Sequence, residues 1–393
     1  MLGKTNLLFV AEDEPTDLSF NPQYILTSSS SNILKIEFIN NLFFVFTGDD
    51  KVLYGSDINS LQTLQKDGSP FPATYIIYKN NVYYMITKES NTEKVVVYKT
   101  SNLTSFEEIV IRRENSEERY SSGSTITYCA GALLLTSDNR IAMLYSKTEG
   151  DSQPRIRFIL CDTFDSFDHV GNNFIEFNEY LSCSCNSTYM LKDRIFSYYS
   201  SNSIYLITLD GSLQKVNPFS NYAAGYFFYV STYYTSNMSS SAKLEVYYSL
   251  NGVDYQAVRL DVGAYSINIK KDVSFFEYDG NIAMLYPENG TQKIAISPTP
   301  KGLVDAVKTA IPVSVDYSIQ TKISLYKDDY VYLGSTGGII IKAKLDYTDT
   351  TRPDITVLKT LSAKQALEES KRYTDEKTAA LEARILTLEE KNT

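Results

Sequence analysis

Ile33-Leu34-Lys35-Ile36-Glu37-Phe38-Ile39-Asn40-Asn41-Leu42-Phe43-Phe44-Val45-Phe46 opens a stretch that continues through Gly48-Asp49-Asp50, Lys51 to Gly55, Ser56-Asp57-Ile58-Asn59-Ser60 and Leu61 to Leu64. It reads as four short strands. Each run is strand-length, rich in β-branched and aromatic residues, and bounded by Asn, Asp, Gly or Ser. The Asn40-Asn41 pair predicts a two-residue hairpin turn, because Asn tolerates positive φ and bonds locally to the backbone.

The pattern recurs. The hairpin signal returns at Asn80-Asn81, Asp138-Asn139, Asp193, Asp279-Gly280 and Asp328-Asp329. A second signal, Asp or Asn followed a few places on by a bulky apolar residue, appears at Asp57 with Leu61, Asn102 with Phe106, Asp162 with Phe167, Asp210 with Leu213 and Asn251 with Tyr255. Thr299 with Leu303, and Asp346, are weaker copies. Copies lie roughly 40 to 60 residues apart, the period of propeller blades. A blade with two apolar faces needs neighbours on both sides, and a closed ring supplies them. The expected fold is all-β, a β-propeller of about seven four-stranded blades, with blade five least clear because Tyr222 to Tyr229 lacks the Asn/Asp turn. Ring closure by a terminal strand has two candidates, Asn6 to Val10 and Ile355 to Leu358, while residues 12 to 32 read as loop with a short extended piece at Tyr24-Ile25-Leu26.

The second signal resembles the Asp-box of sialidase-type propellers, a Ser-x-Asp turn closed by an aromatic residue. It is degenerate here, and the chain has no Trp to complete it. In that family the box is a structural turn away from the active site, so the resemblance implies architecture rather than chemistry.

Composition bounds the function. A formal net charge of −10 argues against binding nucleic acid or an anionic membrane through bulk charge. No stretch is long enough to span a membrane. Met1-Leu2-Gly3-Lys4 does not open a signal peptide, so synthesis in a cytoplasm is expected. Cys129, Cys161, Cys183 and Cys185 show neither a CxxC pair nor a His cluster, and read as reduced, mostly buried thiols. One histidine, His169, excludes a His-rich metal site and has no nucleophile elbow beside it. No catalytic residue, cofactor or metal ligand is assigned. Glycosidase chemistry needs only two carboxylates, for which Glu107-Glu108, Glu117-Glu118, Glu176 and Glu179 are candidates only by being acidic. Gly334-Ser335-Thr336-Gly337-Gly338 lacks the Lys of a phosphate loop and reads as a hairpin turn.

Three polar interruptions, Arg112 to Ser124, Lys147 to Arg155 and Thr235 to Ser241, read as exposed loops. Loops on a rigid ring are where binding residues concentrate. The aromatic pair Tyr233-Tyr234 beside the third loop is the candidate ligand-binding site, its rings suited to stacking on sugars.

Residues 1–359 form the expected propeller and 360–393 a separate segment. From Leu361 to Asn392 there is no Gly or Pro, and Ala, Glu, Lys, Leu and Arg dominate. Leu367, Thr374, Leu381 and Leu388 fall seven apart, with Lys371, Thr378 and Ile385 at the alternate core position. This heptad frame predicts a coiled coil, about 48 Å long if fully helical. The segment from Ala363 to Thr378, above all Tyr373-Thr374-Asp375-Glu376-Lys377, resembles helical segments of bacteriophage tail-fibre and baseplate proteins. That resemblance implies a homotrimer in a virion, partnered by other tail or baseplate proteins and by a host cell-surface polysaccharide. A propeller glycosidase and a baseplate adaptor without a ligand are the alternatives.

Overall fold

The computed structural model describes residues 18–87, 94–113, 126–149, 155–164, 174–180, 188–191, 193–200, 203–216, 221–234, 242–264, 273–288, 291–313 and 319–347. They form a β-propeller of seven four-stranded blades. The opening stretch is blade one, with strands Ile33–Ile39, Leu42–Thr47, Val52–Gly55 and Gln62–Thr63 in that order across the sheet. Blades two to six begin at Ala73–Lys79, Ile126–Leu135, Thr188–Leu191, Asn221–Ala223 and Ser274–Tyr278, and each continues as an antiparallel meander.

Blade seven is composite. Ile319–Lys327, Tyr330–Ser335 and Ile339–Tyr347 supply three strands, and the fourth is Leu18–Leu26 from the opposite end of the described chain. The pairing is antiparallel and unbroken from Leu18 opposite Tyr347 to Leu26 opposite Ile339. The closing strand is therefore Leu18–Leu26, which corrects the loop reading for residues 18–23 and contains the extended piece expected at Tyr24-Ile25-Leu26; residues 12–17 lie outside the described residues. Asn6 to Val10 and Ile355 to Leu358 lie outside the described residues. Composite closure also removes one expected turn: Asp346 sits inside a strand opposite Ser19. Likewise Lys147 to Glu149 belong to the strand Ile141–Glu149 rather than to a loop.

The turn chemistry follows the sequence. Asn40 and Asn41 have φ of 48° and 60°, Asn80 and Asn81 of 52° and 63°, and Asp328 and Asp329 of 51° and 65°. In blade five Ala224 and Gly225 take that place, with φ of 45° and 90°. The Asp-box-like positions are side-chain-capped turns between third and fourth strands. Asn102 Oδ1 accepts from the amides of Thr104 and Ser105 at 3.0 Å, Asn251 Oδ1 from Val253 and Asp254 at 2.9 Å, and Asp57 from Asn59 at 3.0 Å. These bonds fix the last corner of each blade.

Alternation fills the spaces between blades. In blade one Phe43 and Val45 pack toward blade seven, whereas Phe44 and Phe46 pack toward blade two. Phe44 is fully buried; removing such a side chain from water contributes about 1.5–3 kcal/mol. Polar contacts add to the seams. Buried Lys79 of blade two donates to the carbonyls of Asn139 and Asp162 in blade three, and Asn40 donates to Tyr83 Oη at 2.9 Å across blades one and two.

First strands of neighbouring blades touch: Ile33–Ile39 with Ile319–Lys327, Ala73–Lys79 with Ile126–Leu135, and Ser274–Tyr278 with both of its neighbours. They surround the axis, and the fourth strands form the rim. In such a meander the turns after first and third strands share one face of the ring, and the connections after second and fourth strands share the other. The Asn/Asp turns thus occupy one face, and the connections 114–125, 150–154 and 235–241 join strand ends on the opposite face.

Closure can be tested at Gly338. It has φ of +73°, its carbonyl accepts from Thr27 N at 3.0 Å, and a Cβ there would lie 1.6 Å from Ser29 O. Gly338→Ala should cost more than about 2 kcal/mol. Gly225→Ala, with φ of +90° and open space around it, should cost about 1 kcal/mol. Thermal melts of the two variants check this, and equal losses would contradict it.

Candidate binding face on blade five

Blade five differs from the others in what one of its faces carries. Its strands are Asn221–Ala223, Tyr226–Tyr234, Ala242–Ser249 and Gln256–Ala264. On the even-numbered face, Phe228, Val230, Leu244, Val246 and Leu260 join a buried cluster with blade six, where Phe228 stacks on Phe275 with ring centres 4.2 Å apart. The odd-numbered face carries Phe227, Tyr229 and Tyr233 on the second strand, Glu245 and Tyr247 on the third, and Arg259 on the fourth. Strand register makes them neighbours: Tyr229 lies opposite Tyr247, Ser231 opposite Glu245, and Glu245 opposite Arg259.

The side chains form a connected set. Tyr229 and Tyr247 stack with ring centres 4.3 Å apart and planes 7° from parallel. Tyr255 meets Tyr229 edge-on at 4.8 Å. Tyr247 Oη donates to Glu245 Oε2 at 2.7 Å, and Arg259 Nε donates to Glu245 Oε1 at 2.9 Å. The Arg259 guanidinium then lies 4.9 Å from the centre of the Tyr233 ring, within cation–π range. Glu245 is buried, the tyrosines are half-buried, and Arg259 is exposed.

This face looks toward blade four. Among the described residues, buried hydrophobic clusters bridge blades one and two, two through four, five and six, six and seven, and seven and one. Across the seam to blade four, the Arg194 guanidinium lies 5.6 Å from the buried Phe227 ring of blade five.

Tyr233 and Tyr234 lie within the strand Tyr226–Tyr234, opposite Lys243 and Ala242, not on a loop. Tyr233 is half-buried at the strand end that leads into 235–241. Glu245, Tyr247, Tyr229 and Arg259 were not singled out in the sequence. The visible signal for them is alternation, with Tyr229-x-Ser231-x-Tyr233 and Glu245-x-Tyr247 placing polar and aromatic groups on one face of the sheet. Leu367, Thr374, Thr378, Leu381, Ile385 and Leu388, together with His169, Cys183 and Cys185, lie outside the described residues. Cys129 and Cys161 are half-buried, and burial pushes the Cys161 thiol up to about 11.

A cavity of about 360 Å³ lies beside the first strands of blades one to three, lined by Glu37, Tyr75, Leu133, Thr136, Ser137 and Asp193. Glu37 Oε1 pairs with Lys35 at 2.6 Å while its Oε2 is buried with no partner among the described residues, and Asp193 accepts from both the amide and the hydroxyl of Ser137. Of the acidic candidates, Glu108 and Glu176 are ion-paired, and Glu117 and Glu118 lie outside the described residues. Bonds from Lys94 and Lys66 hold Glu108 below the ordinary carboxylate range. Burial acts to raise Glu176, but Arg157 at 2.7 Å and Arg155 at 3.4 Å outweigh it and lower it.

No family model and no curated protein matches the chain. Solved structures do. The Pan2 WD40 domain of Neurospora crassa aligns with a TM-score of 0.50 at 8% identity, over 86% of this chain and 99% of that one. Virginiamycin B lyase from Staphylococcus aureus aligns with a TM-score of 0.49 at 10% identity, over 84% of this chain and all of the other. BamB from Moraxella catarrhalis aligns with a TM-score of 0.41 at 8% identity, over 80% of this chain and 84% of that chain. At such identities the likeness is one of fold alone.

The electrostatics of the blade-five face give a pH prediction. Burial acts to raise the Glu245 carboxyl, but the bonds from Tyr247 and Arg259 outweigh it and hold it below the usual range. A folded value below the unfolded one contributes stability above the ordinary carboxylate range, lost as pH falls through the folded value. The stability gap between wild type and Glu245→Gln should therefore be widest near neutral pH and narrow in acid. Tyr247, pushed up to about 12 first by its bond to Glu245 and then by burial, should titrate nearer the ordinary 10.0 in that variant. Denaturant melts across pH and tyrosinate absorbance check both. An unchanged gap and an unchanged tyrosine titration would contradict the account.

Proposed function

We propose that this protein is a receptor-binding component of a phage tail or related injection particle, and that it recognises a host cell-surface glycan on the seam-facing side of blade five. The observation that carries this reading is the set Tyr229, Tyr233, Tyr247, Glu245 and Arg259 on one half-exposed sheet face. Sugar rings present C–H faces that pack on aromatic rings and hydroxyls that need donors and acceptors at fixed positions. Tyrosine supplies both kinds of contact. A carboxylate held in place by two donors offers its remaining lone pairs to hydroxyls without further ordering.

The site sits on strands, so its groups are set before a ligand arrives. The described carboxylates with displaced pKa values, including Glu108, Glu176 and Glu245, are all lowered. Glycoside hydrolysis needs one carboxyl raised to act as a general acid. This favours binding over cleavage. The heptad positions Leu367, Thr374, Thr378, Leu381, Ile385 and Leu388 support assembly as a trimer, in which three weak sites act together. The resemblance of Ala363 to Thr378 to tail-fibre helices supports a place in a virion beside other tail or baseplate proteins.

Binding of the full chain to host cells and to their isolated surface polysaccharide tests the reading. Tyr247→Ala and Tyr233→Ala should each weaken binding by about tenfold or more, the loss of one well-packed aromatic contact. Tyr24→Ala, at an exposed tyrosine on blade seven, should leave binding unchanged. Light scattering on the same samples should give the mass of a trimer. Binding unaffected by both blade-five variants would remove the site, and a monomer would remove the avidity argument.

A further inference from the structure

The seam between blades four and five carries more than the tyrosine row. At its tight-turn end, Arg194 opens the second strand of blade four, Arg194–Ser200. Its guanidinium lies over Phe227 at 5.6 Å, while Tyr255 lies against Tyr229 at 4.8 Å. Phe227 and Tyr229 are alternate residues of one strand and share a face, so Arg194 and Tyr255 are brought together over adjacent rings. Arg194 Nη1 and Tyr255 Oη are both shielded from solvent and have no hydrogen-bond partner among the described residues.

Two unpaired donors in one seam are an energetic liability. Buried polar groups are nearly always bonded, and each that is not pays its desolvation without return. Both can donate, and a guanidinium has no acceptor capacity at all. The group that would satisfy them together is an oxyanion, and the planar guanidinium fork suits a carboxylate. The nearby carboxylates do not fill that role: Asp193 is taken by Ser137, Glu245 by Tyr247 and Arg259, and Asp254 by Asn251.

We infer that Arg194 and Tyr255 form an oxyanion subsite at the tight-turn end of the blade four–five seam, and that the glycan bound on blade five is an acidic one carrying carboxylates. The inference rests on the glycan reading, which it deepens. Tyr229 links the two parts, touching Tyr255 on one side and Tyr247 on the other. A polysaccharide lying along the seam would place a sugar on the tyrosines and a carboxylate on Arg194. Attraction to an acidic polymer is local, set against a chain of net charge −10, so the preference comes from desolvated donors rather than bulk charge.

The full chain is titrated by calorimetry with sodium glucuronate and with methyl glucoside, while arginine side-chain resonances are followed by NMR. Glucuronate should bind about tenfold more tightly, the size of one charge-assisted hydrogen bond, and should shift the Arg194 signals. Arg194→Gln should abolish the preference without changing methyl glucoside affinity, and Tyr255→Phe should reduce it. Arg194→Lys, which keeps a charge but loses the fork, separates a lost donor from a lost fold. Equal affinity for the two sugars, a preference that survives Arg194→Gln, or no binding of either sugar would overturn the subsite. If host polysaccharide binds without dependence on Arg194, the subsite falls and the glycan reading stands. If glucuronate binds through Arg194 but host polysaccharide does not bind, the subsite stands and the receptor reading falls.

Discussion

The backbone pairing of Leu18–Leu26 with Ile339–Tyr347 is the constraint on which the ring depends. A blade of the described kind exposes two apolar faces, so each seam is stable only if its neighbour is held in place. Six blades are continuous stretches of chain, and the seventh is completed only when the two ends of the described region meet. That pairing brings Ile25 and Ile340 into the cluster shared with Ile33, Phe43 and Leu53 of blade one. The loop entropy of joining residues so distant in sequence is spent once, and every seam then benefits.

Closure also holds blades four and five side by side. The seam-facing side of blade five buries Phe227 and carries a stacked tyrosine pair, a buried carboxylate with two donors, and an arginine over a third tyrosine. Rigid strands position these groups.

Much of this architecture was legible in the sequence, and the physical reasons are specific. Asn40-Asn41, Asn80-Asn81 and Asp328-Asp329 announce their turns because few other residues accept positive φ twice in succession. The Asp57, Asn102, Asp210 and Asn251 turns are legible because a short polar side chain caps the following amides. Of the closing strand only its end, Tyr24-Ile25-Leu26, was legible as extended. Leu18–Leu26 contains Asn21, Pro22 and Gln23, which argue for a loop, yet an outermost strand needs bonds on one side only and tolerates proline there. Blade five's turn was hidden because Ala224-Gly225 does the work of the Asn/Asp pair. Of the site, Tyr233 was visible as part of an aromatic cluster. Glu245 and Arg259 were not, because only register, Ser231 opposite Glu245 and Glu245 opposite Arg259, brings them to it.

The most direct test of the central claim, that blade five's seam-facing side is the glycan site, is hydrogen exchange of the full chain with and without host surface polysaccharide. Protection should appear in peptides covering Tyr226–Tyr234, Ala242–Ser249 and Gln256–Ala264, and at the start of Arg194–Ser200. Blades one, two and six should be unchanged. Protection centred instead on the Glu37, Ser137 and Asp193 cavity, or none on blade five while polysaccharide is bound, would contradict the account.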